Sequence, residues 1–415
     1  MLIRVLAILA ALVVQAHADP DTVRDRLAGM LLGSMIGDAL GGPVEFVEAD
    51  RVRDDQDVFR VWQPGERLPR DLDAYAANTR LLDYARFRPT PEPYAHWEHD
   101  APPGTLTDDS RQKLIAVDMV RDWAARGAST PLTADDLARA LLRADTTPLP
   151  DGDRDDLSRD WLAEYVLAAR YQLGERDPER ALPPARLWGG LPTCAGSMLL
   201  PPLAGLHPGD PDAAYALAHD VAFIDNGTAL DINAGINAGI AAAMTMQTGD
   251  PANRADRRQA WADLKAAMLA TDPYRYAEVP WVERPLARCL RLGKELAERA
   301  DRQPAELIRL IRDELKPNTW WEADVVLIMA AAAIELTNAH PVASMKLAIE
   351  LGYDTDSTAQ IAGAFTGALW GESAFPTELA APTRRGAVRA LGEPIDAWLN
   401  DLLELSSSAS APGSR

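Results

Sequence analysis

The chain has 415 residues, with 62 acidic side chains against 42 basic ones and two cysteines. Its 47% hydrophobic content excludes a chain that is disordered throughout. The net charge of −20 argues against nucleic acid as a partner, because binding a polyanion depends on neutralising phosphates with Lys and Arg. Two cysteines are too few for a disulfide scaffold or a cysteine-rich zinc module.

The first 18 residues have the pattern of a secretory signal. Arg4 supplies a positive charge, an unbroken apolar run follows from Val5 to Val14, and Ala16-His17-Ala18 has the form of a signal-peptidase site. The run is too short for a bilayer-spanning helix of about 20 residues, and we expect no later segment to be long and apolar enough to span a membrane. An amphipathic N-terminal helix is the alternative, but the run lacks a polar face. The sequence therefore predicts export, periplasmic or secreted, with cleavage near Ala18.

Helical periodicity dominates the chain after this segment. Ile115, Met119 and Trp123 recur every four residues, and alternating β-branched runs are scarce. The pattern predicts an all-α fold in one domain over residues 19–405, followed by a disordered tail over residues 406–415. Helices are expected over 157–173, 229–246, 256–270, 285–300, 304–315, 319–337, 340–351, 357–370 and 384–404.

Residues 48–103 interrupt this pattern with aromatic side chains set among many charges and prolines. The segment is either an insertion that acts as a lid or binding element, or an irregular surface layer packed by its aromatics. His96 and His99 within it are a weak metal signal, since they lack matched partners, and we expect a solvated loop there.

The sequence leaves open whether the two cysteines form a disulfide. Cys194 and Cys289 could pair in an oxidising compartment. Because the sequence alone does not show that they are close in space, we favour the interpretation that they are two separate buried thiols.

Three predicted helices contain glycines at four-residue spacing. A glycine inside a helix costs about 1 kcal/mol relative to alanine, so repeated use indicates that backbones approach closely. We therefore expect these helices to pack tightly around one centre. The glycines are Gly33, Gly37 and Gly41, then Gly235 and Gly239, then Gly363, Gly367 and Gly371.

Two short motifs concentrate carboxylates at predicted helix starts, Thr107-Asp108-Asp109-Ser110 and Asp354-Thr355-Asp356-Ser357. Either motif alone is explained by helix capping and by the favourable position of acids in a first turn. Together they offer four carboxylates and several hydroxyls, which is the hard oxygen set that Mg²⁺ prefers. Zinc is less favoured, since no His or Cys accompanies these acids in the motifs.

A third acidic motif lies near the N-terminus. Gly41-Gly42-Pro43 is predicted to end a helix and to place Glu45 on the loop that follows. A loop carboxylate beside a metal pair suits a ligand that moves to act as a general base. Asp38, still within the helix, has either a capping or a core-polar role.

The three motifs together resemble the ADP-ribosylglycohydrolase family. Residues 37–45 resemble its N-terminal motif, Thr107–Ser110 its Thr-Asp-Asp-Thr motif with Ser in the last place, and Gly352–Ser357 its C-terminal Gly-Gly-Asp-x-Asp-Thr motif. Their order and wide separation also agree. The resemblance implies a single large orthogonal helical domain with a binuclear magnesium centre at the base of a cleft.

The resemblance also assigns roles to individual residues. Glu45 matches a flexible-loop glutamate that in some members is a metal ligand and candidate base. In our own mechanistic hypothesis, Asp109 is the second candidate base. The implied cofactor is two Mg²⁺ ions, with Mn²⁺ as an alternative. The implied metal ligands are Thr107, Asp108, Asp109, Asp354, Asp356 and Ser357.

Two segments depart from the family pattern. Residues 189–197 stand where a Gly-Asn-Gly-like ribose loop is usual, and Ile224-Asp225-Asn226-Gly227 stands where a Thr-His pair is common. We take Gly196, Ser197, Asp225 and Asn226 as candidate substrate-binding residues, although turn and capping roles explain Asp and Asn equally well. The departures leave the identity of the substrate open.

The sequence thus predicts a Mg²⁺-dependent hydrolase that cleaves an N- or O-glycosidic bond at the ribose of an ADP-ribosylated protein or a related compound. We expect a monomer with an ADP-ribose-like small molecule or an ADP-ribosylated protein as its partner. The main alternative is a non-catalytic relative that binds ADP-ribose or a nucleotide sugar, or serves a structural role. A second alternative is a phosphatase with the Asp354-x-Asp356-x-Thr358 pattern, which would need the motif at the end of a hydrophobic strand.

Overall fold

The computed structural model describes residues 19–52, 57–82, 85–87, 99–128, 130–147 and 155–409. The predicted signal segment 1–18, His96 and the end of the predicted tail, residues 410–415, lie outside these ranges. Where the chain is described it is helical with very few strand residues, which confirms the all-α fold. The helices begin and end as follows: α1 Pro20–Gly41, α2 Leu72–Ala76, α3 Asp108–Ala125, α4 Ala134–Ala144, α5 Asp155–Gln172, α6 Ala195–Leu199, α7 Pro211–Val221, α8 Ala229–Ala243, α9 Arg254–Ala270, α10 Pro285–Ala300, α11 Pro304–Glu314, α12 Ala323–Thr337, α13 Pro341–Glu350, α14 Thr355–Trp370, α15 Thr377–Leu391 and α16 Ile395–Ala409.

Short strands connect distant parts of the described chain. β1 (Val47–Glu48) pairs antiparallel with β4 (Gly352–Tyr353), and β2 (Ala85–Phe87) pairs antiparallel with β3 (His99–Ala101). The β1–β4 pairing matters most, since it joins the loop after α1 to the chain just before α14.

The C-terminal end differs from the sequence prediction in two ways. One helix was expected over 384–404, but α15 and α16 are separate: Gly392 takes a left-handed φ of +81° as the α15 cap, and Pro394 precedes α16. A glycine with positive φ followed by proline is a common way to end a helix. The second difference is that α16 continues to Ala409, past the predicted start of the tail at Ser406.

The glycine prediction is confirmed at the contact between α1 and α14. A Cβ placed on Gly363 would lie 2.1 Å from the Gly33 carbonyl oxygen, and one on Gly37 would lie 2.3 Å from the Ala359 carbonyl oxygen. One turn further, a Cβ on Gly41 would lie 2.5 Å from the Cα of Asp356. The missing side chains therefore let the end of α1 reach the start of α14.

By length and composition alone, one helix among the described residues could cross a membrane. It is Pro20–Val44, and its apolar window is wholly buried inside the protein. The expectation that no segment after residue 18 is long and apolar enough is therefore wrong. A helix that is hydrophobic on all sides is also what the centre of a large protein requires, and α1 is packed in that way.

Part of segment 48–103 packs against α13 through a buried carboxylate. Glu350 accepts hydrogen bonds from Trp62 Nε1 at 2.8 Å and from the Tyr75 hydroxyl, and it lies 3.5 Å from Lys346 Nζ. Phe59, Trp62 and Tyr75 are all buried. In the part of this segment that is described, the interpretation as a layer packed by its aromatics holds.

Both cysteines are free and buried. The favoured interpretation of two separate thiols is therefore confirmed, and no disulfide joins Cys194 on the turn before α6 to Cys289 on α10.

The α1–α14 contact yields a stability prediction. Gly363→Ala gains helix propensity, but its methyl group would contact the carbonyl oxygen of Gly33. A backbone oxygen cannot move aside by a change of side-chain rotamer. We expect the steric clash to outweigh the gain in helix propensity, so that the free energy of unfolding falls by about 1–3 kcal/mol. Gly205→Ala is the matched control, because its Cβ would lie 3.0 Å from the flexible end of Leu27. Chemical denaturation measures both, and a Gly363→Ala protein as stable as the wild type would contradict the close contact.

Candidate metal centre

The described structure brings five predicted carboxylates together in two overlapping groups. Oxygens of Glu45, Asp354 and Asp356 lie within 4.8 Å of one another, and so do oxygens of Asp108, Asp109 and Asp356. Asp356 belongs to both groups. Two cation positions that share one carboxylate are the arrangement that these contacts support.

Capping at the start of α3 fixes the first motif. Thr107 is the N-cap, and its hydroxyl accepts a hydrogen bond from the backbone N–H of Asp109 at 3.2 Å. Asp38 of α1 accepts from the Thr107 N–H at 3.0 Å, from the Thr107 hydroxyl at 2.7 Å and from the Ser110 N–H at 3.2 Å. Of the two roles left open for Asp38, the structure shows the capping role: Asp38 lies on α1 and caps the start of α3. The Thr107 hydroxyl keeps one lone pair for a cation.

The second motif begins α14 and is bonded directly to the first. The hydroxyl of Ser357 donates to Asp109 Oδ1 at 3.0 Å, and the Ser357 N–H donates to Asp356 Oδ1 at 3.0 Å. The hydroxyl of Thr355 donates to the carbonyl oxygen of Gly41 at 2.9 Å, which anchors this helix start on the end of α1. Asp354 follows α13 and the two-residue β4, so the long hydrophobic strand that the phosphatase pattern requires is not found there.

Glu45 enters the centre from the loop after α1, as predicted. A 3₁₀ turn over Gly42–Val44 ends the helix, and Glu45 follows half-buried. The next residue, Phe46, donates its N–H to the carbonyl oxygen of Tyr353 at 2.6 Å, where the β1–β4 pairing begins. The chain after Glu45 and the chain before Asp354 are thus held together.

An aromatic edge adjoins these residues. Phe46 and Trp321 are in edge-to-face contact with ring centroids 5.9 Å apart, and both are about two-fifths exposed. Tyr353 stacks on Trp320 at 3.7 Å. Exposed aromatic surface therefore lies beside Glu45 and Asp354.

Burial and mutual repulsion favour the protonated carboxyls in the metal-free protein. Burial raises the pKa of Asp108 and of Asp354 to about 7, with Asp38 and Asp109 respectively the largest charged contributors. Burial, reinforced by Asp356, also raises the pKa of Asp109 and of Glu45 well above the usual range. A divalent cation would reverse this preference by stabilising the ionised forms.

One ammonium group lies beneath the cluster, and sequence reasoning missed it. Lys113 is fully buried, and its Nζ donates to the Asp109 carbonyl oxygen at 2.8 Å and to Gln360 Oε1. Gln360 Oε1 also accepts from the Ser34 hydroxyl at 3.1 Å. Lys113 stands four residues after Asp109, and Gln360 four residues after Asp356, so helical spacing could have identified both.

The donor set fits a hard divalent cation. Asp356 Oδ2 is buried and has no hydrogen-bond partner among the described residues, and Asp356 is the residue that both carboxylate groups share. An unpaired buried carboxylate oxygen is costly unless a cation or a proton satisfies it. Carboxylates and hydroxyls are the ligands that Mg²⁺ and Mn²⁺ take.

Of the predicted substrate-binding residues, Gly196, Ser197 and Asp225 are buried, whereas Asn226 is partly exposed. Asp225 accepts from the Gly196 N–H at 3.0 Å and from Asn233 Nδ2 at 2.9 Å, and burial raises its pKa to about 7. The hydroxyl of Ser197 donates to the Cys194 carbonyl oxygen at 2.7 Å, while Asn226 donates to the Pro184 carbonyl oxygen at 3.4 Å. The contacts of Asp225 and Ser197 hold the start of α6, and direct contact of any of these residues with a substrate stays a prediction.

Sequence reasoning also missed that Cys194 faces the carboxylates. Its Sγ lies 3.6 Å from Asp354 Oδ2 and 3.7 Å from Ser357 Oγ. Burial and the charge of Asp354 raise the pKa of this thiol well above its usual range. The motif spacing held no signal for the contact, because Cys194 is 160 residues from Asp354 along the chain.

Comparison with known protein families identifies the family of this chain. A family model described as ADP-ribosylglycohydrolase matches residues 19–411. The chain belongs to the ADP-ribosylglycohydrolase family. A solved structure described as an "ADP-ribosylglycohydrolase-related protein complex" aligns over 93% of this chain and 99% of its own, with 21% sequence identity and a TM-score of 0.49. The comparison with curated proteins gave no match.

In this ADP-ribosylglycohydrolase family member, the raised pKa values predict a pH dependence. The carboxyls bind protons more tightly in the folded than in the unfolded chain, where the pKa is 3.8 for Asp. The stability that these carboxyls contribute to the metal-free fold is therefore fully present below pH 4 and is lost as the pH rises towards 7. Asp356→Asn removes one of these charges, so the metal-free variant should melt above the metal-free wild type at pH 7.

Thermal unfolding in chelator at pH 5, 6 and 7 measures this difference. The difference in melting temperature between the variant and the wild type should be smaller at pH 5 than at pH 7. It should change sign when Mg²⁺ is added, because the variant has lost a metal ligand. A metal-free Asp356→Asn protein that melts below the wild type at pH 7 would contradict the repulsion that we describe.

Proposed function

We propose that the chain is a Mg²⁺-dependent glycohydrolase that cleaves an N- or O-glycosidic bond at the ribose of an ADP-ribosyl compound. The observation that supports this most directly is the pair of carboxylate groups that share Asp356. Membership of the ADP-ribosylglycohydrolase family supports the substrate class.

Each group of carboxylates would hold one cation. Glu45 and Asp354 would bind the first, Asp108 and Asp109 the second, and Asp356 would bridge the two. The hydroxyl of Ser357, which donates to Asp109, and that of Thr107, which caps the helix start at Asp108 and Asp109, would complete the set. Bound Mg²⁺ would supply Lewis acidity, orient the ribose hydroxyls and lower the pKa of a water.

Glu45 is the better placed of the two candidate bases. It is half-buried on a loop, whereas Asp109 is buried and already accepts the Ser357 hydroxyl on Oδ1. A base must come within hydrogen-bond reach of the proton that it takes, and the more exposed carboxylate can approach a water beside the substrate. Asp109 would then orient ligands rather than move a proton.

The excess of carboxylates also suits the reaction. Cleavage at an anomeric carbon develops positive charge on the sugar, and nearby carboxylates stabilise that charge. The exposed edge of Phe46 and Trp321 offers apolar surface next to the same site. The centre thus combines charge stabilisation with a surface for a flat or sugar-like group.

Replacing the shared and paired carboxylates tests the proposal. Asp109→Asn and Asp356→Asn should each lower Mg²⁺-dependent release of ADP-ribose by at least about a hundredfold, since each removes a ligand of the centre. Asp313→Asn on the exposed face of α11 is the matched control and should keep wild-type activity. The assay follows free ADP-ribose from ADP-ribosyl-arginine, ADP-ribosyl-serine and small ADP-ribosyl derivatives.

Full activity in both variants would contradict the proposal. A wild-type protein that binds ADP-ribose with Mg²⁺ but releases none from any of these substrates would instead support the non-catalytic alternative.

We further propose that the protein is exported and that cleavage leaves Asp19 at the N-terminus. The apolar run and the Ala16-His17-Ala18 site support this. Intact mass measurement of protein expressed with its full N-terminus should show loss of residues 1–18 in the exported fraction. A mature protein that retains Met1 would contradict export by this signal.

A further inference from the structure

A cavity lies at the opposite end of α13 and α14 from the metal centre. Its volume of about 620 Å³ is that of a small-molecule site, and α2, the residues after it, and the starts of α13 and α15 line it. Trp370 ends α14 and donates its Nε1–H to the carbonyl oxygen of Ala339 at 3.2 Å, next to the lining residue His340. About 20 Å of helix separates Trp370 from Asp356, so the cavity is distinct from the carboxylate cluster.

The walls of the cavity are largely apolar and stiff. Three prolines line it: Pro341 is the first residue of α13, Pro376 directly precedes α15, and Pro251 lies in the loop before α9. Val342 and several alanines complete the apolar lining. Because a proline ring fixes φ, these walls are already shaped before any ligand arrives.

Charged groups of both signs face the same space. Arg80 contributes a guanidinium, and Asp73 and Glu378 contribute carboxylates. His340 Nδ1 accepts the Ala343 N–H at 3.2 Å, so its ring proton is on Nε2, which donates to Asp73 Oδ1 at 2.9 Å. The side chain of Asp73 is still 85% exposed, which leaves its second oxygen accessible to a ligand.

Two buried polar atoms at this cavity have no hydrogen-bond partner in the described parts of the chain. Thr79, which lines the cavity, is 7% exposed and its Oγ1 is unpaired; Arg257 is 5% exposed and its Nε is unpaired. Arg257 lies behind the wall, since its Nη1 donates to the carbonyl oxygens of Pro251 at 2.6 Å and Ala252 at 3.3 Å. Unpaired buried donors are costly, and those beside Arg80 indicate a place for a ligand that supplies an acceptor.

We propose that this cavity binds a small zwitterion with an apolar side chain, of the amino-acid class. Its carboxylate would accept from the Thr79 hydroxyl and pair with Arg80, and its ammonium would pair with Glu378 and Asp73. Its side chain would lie on the proline and alanine walls. A simple anion would face two carboxylates, and a simple cation would leave Arg80 and Thr79 unused. The site goes beyond the proposed function and does not depend on it.

Three matched probes separate the two charges. L-Leucine carries both, 4-methylpentanoate lacks the ammonium, and L-leucinamide lacks the carboxylate. Calorimetry on the full chain, in chelator and again with Mg²⁺, measures the Kd of each probe, and the same set built on phenylalanine covers a larger side chain. The amino acid should bind at least about tenfold more tightly than either of its analogues, with or without Mg²⁺.

Variants of the lining place the two charges. Arg80→Gln should weaken L-leucine and 4-methylpentanoate but not L-leucinamide, whereas Glu378→Gln should weaken L-leucine and L-leucinamide but not 4-methylpentanoate. Thr79→Val should weaken L-leucine by about fivefold without lowering the melting temperature, because it removes a hydroxyl that has no partner in the unliganded site. Asp313→Asn on α11 is the control and should bind as the wild type does.

Several results would overturn the proposal. One is no binding of either amino acid at about 10 mM. Another is equal affinity for an amino acid and an analogue that lacks one charge, or a Kd for L-leucine that is unchanged in both Arg80→Gln and Glu378→Gln. Binding that needs Mg²⁺ and is lost in Asp356→Asn would place the ligand at the metal centre instead. Failure of the first kinds leaves the metal centre intact, since they are seen without metal.

Discussion

The repulsion among five carboxylates is the constraint on which the rest of this structure depends. Glu45, Asp108, Asp109, Asp354 and Asp356 meet within a few ångströms in a largely buried place, where like charges raise one another's pKa. The fold supplies little compensation. Lys113 provides a buried positive charge beneath them, yet it bonds to the backbone of Asp109 and to Gln360. Asp356 Oδ2 has no partner among the described residues. An arrangement this unfavourable without a cation indicates a site kept for binding one.

Two features of packing hold the carboxylates against this repulsion. Glycines bring the backbones of α1 and α14 into contact, so that Gly41 touches Asp356 at the helix start. Asp38 then caps α3 from α1 through three hydrogen bonds, and Ser357 bonds to Asp109 across the two motifs. Residues 69 and 248 positions apart along the chain are thereby fixed to one another. Helix α1 takes part in both contacts and is therefore buried on all sides. A helix buried in this way is apolar throughout, which is why its length and composition match those of a membrane span.

The local features of this site were predictable from sequence, because capping residues, first-turn acids and helix-breaking Gly-Pro pairs act over a few residues. The all-α fold, the close glycine packing and the loop position of Glu45 followed from such signals. Contacts between distant segments were not predictable. Neither the approach of Cys194 to Asp354 nor the binding of Glu350 by Trp62 and Tyr75 has a signature in spacing. The break at Gly392 was missed although its Gly-Glu-Pro sequence is local, because the apolar periodicity continues on both sides.

Whether two cations share Asp356 is the central question about this site. Anomalous diffraction from crystals of the full chain soaked in Mn²⁺ tests this directly, since it locates each ion without reference to activity. We predict two anomalous peaks, one against Glu45 and Asp354 and one against Asp108 and Asp109, with Asp356 contacting both. Crystals that show no peak among these carboxylates at saturating Mn²⁺ would contradict the central claim.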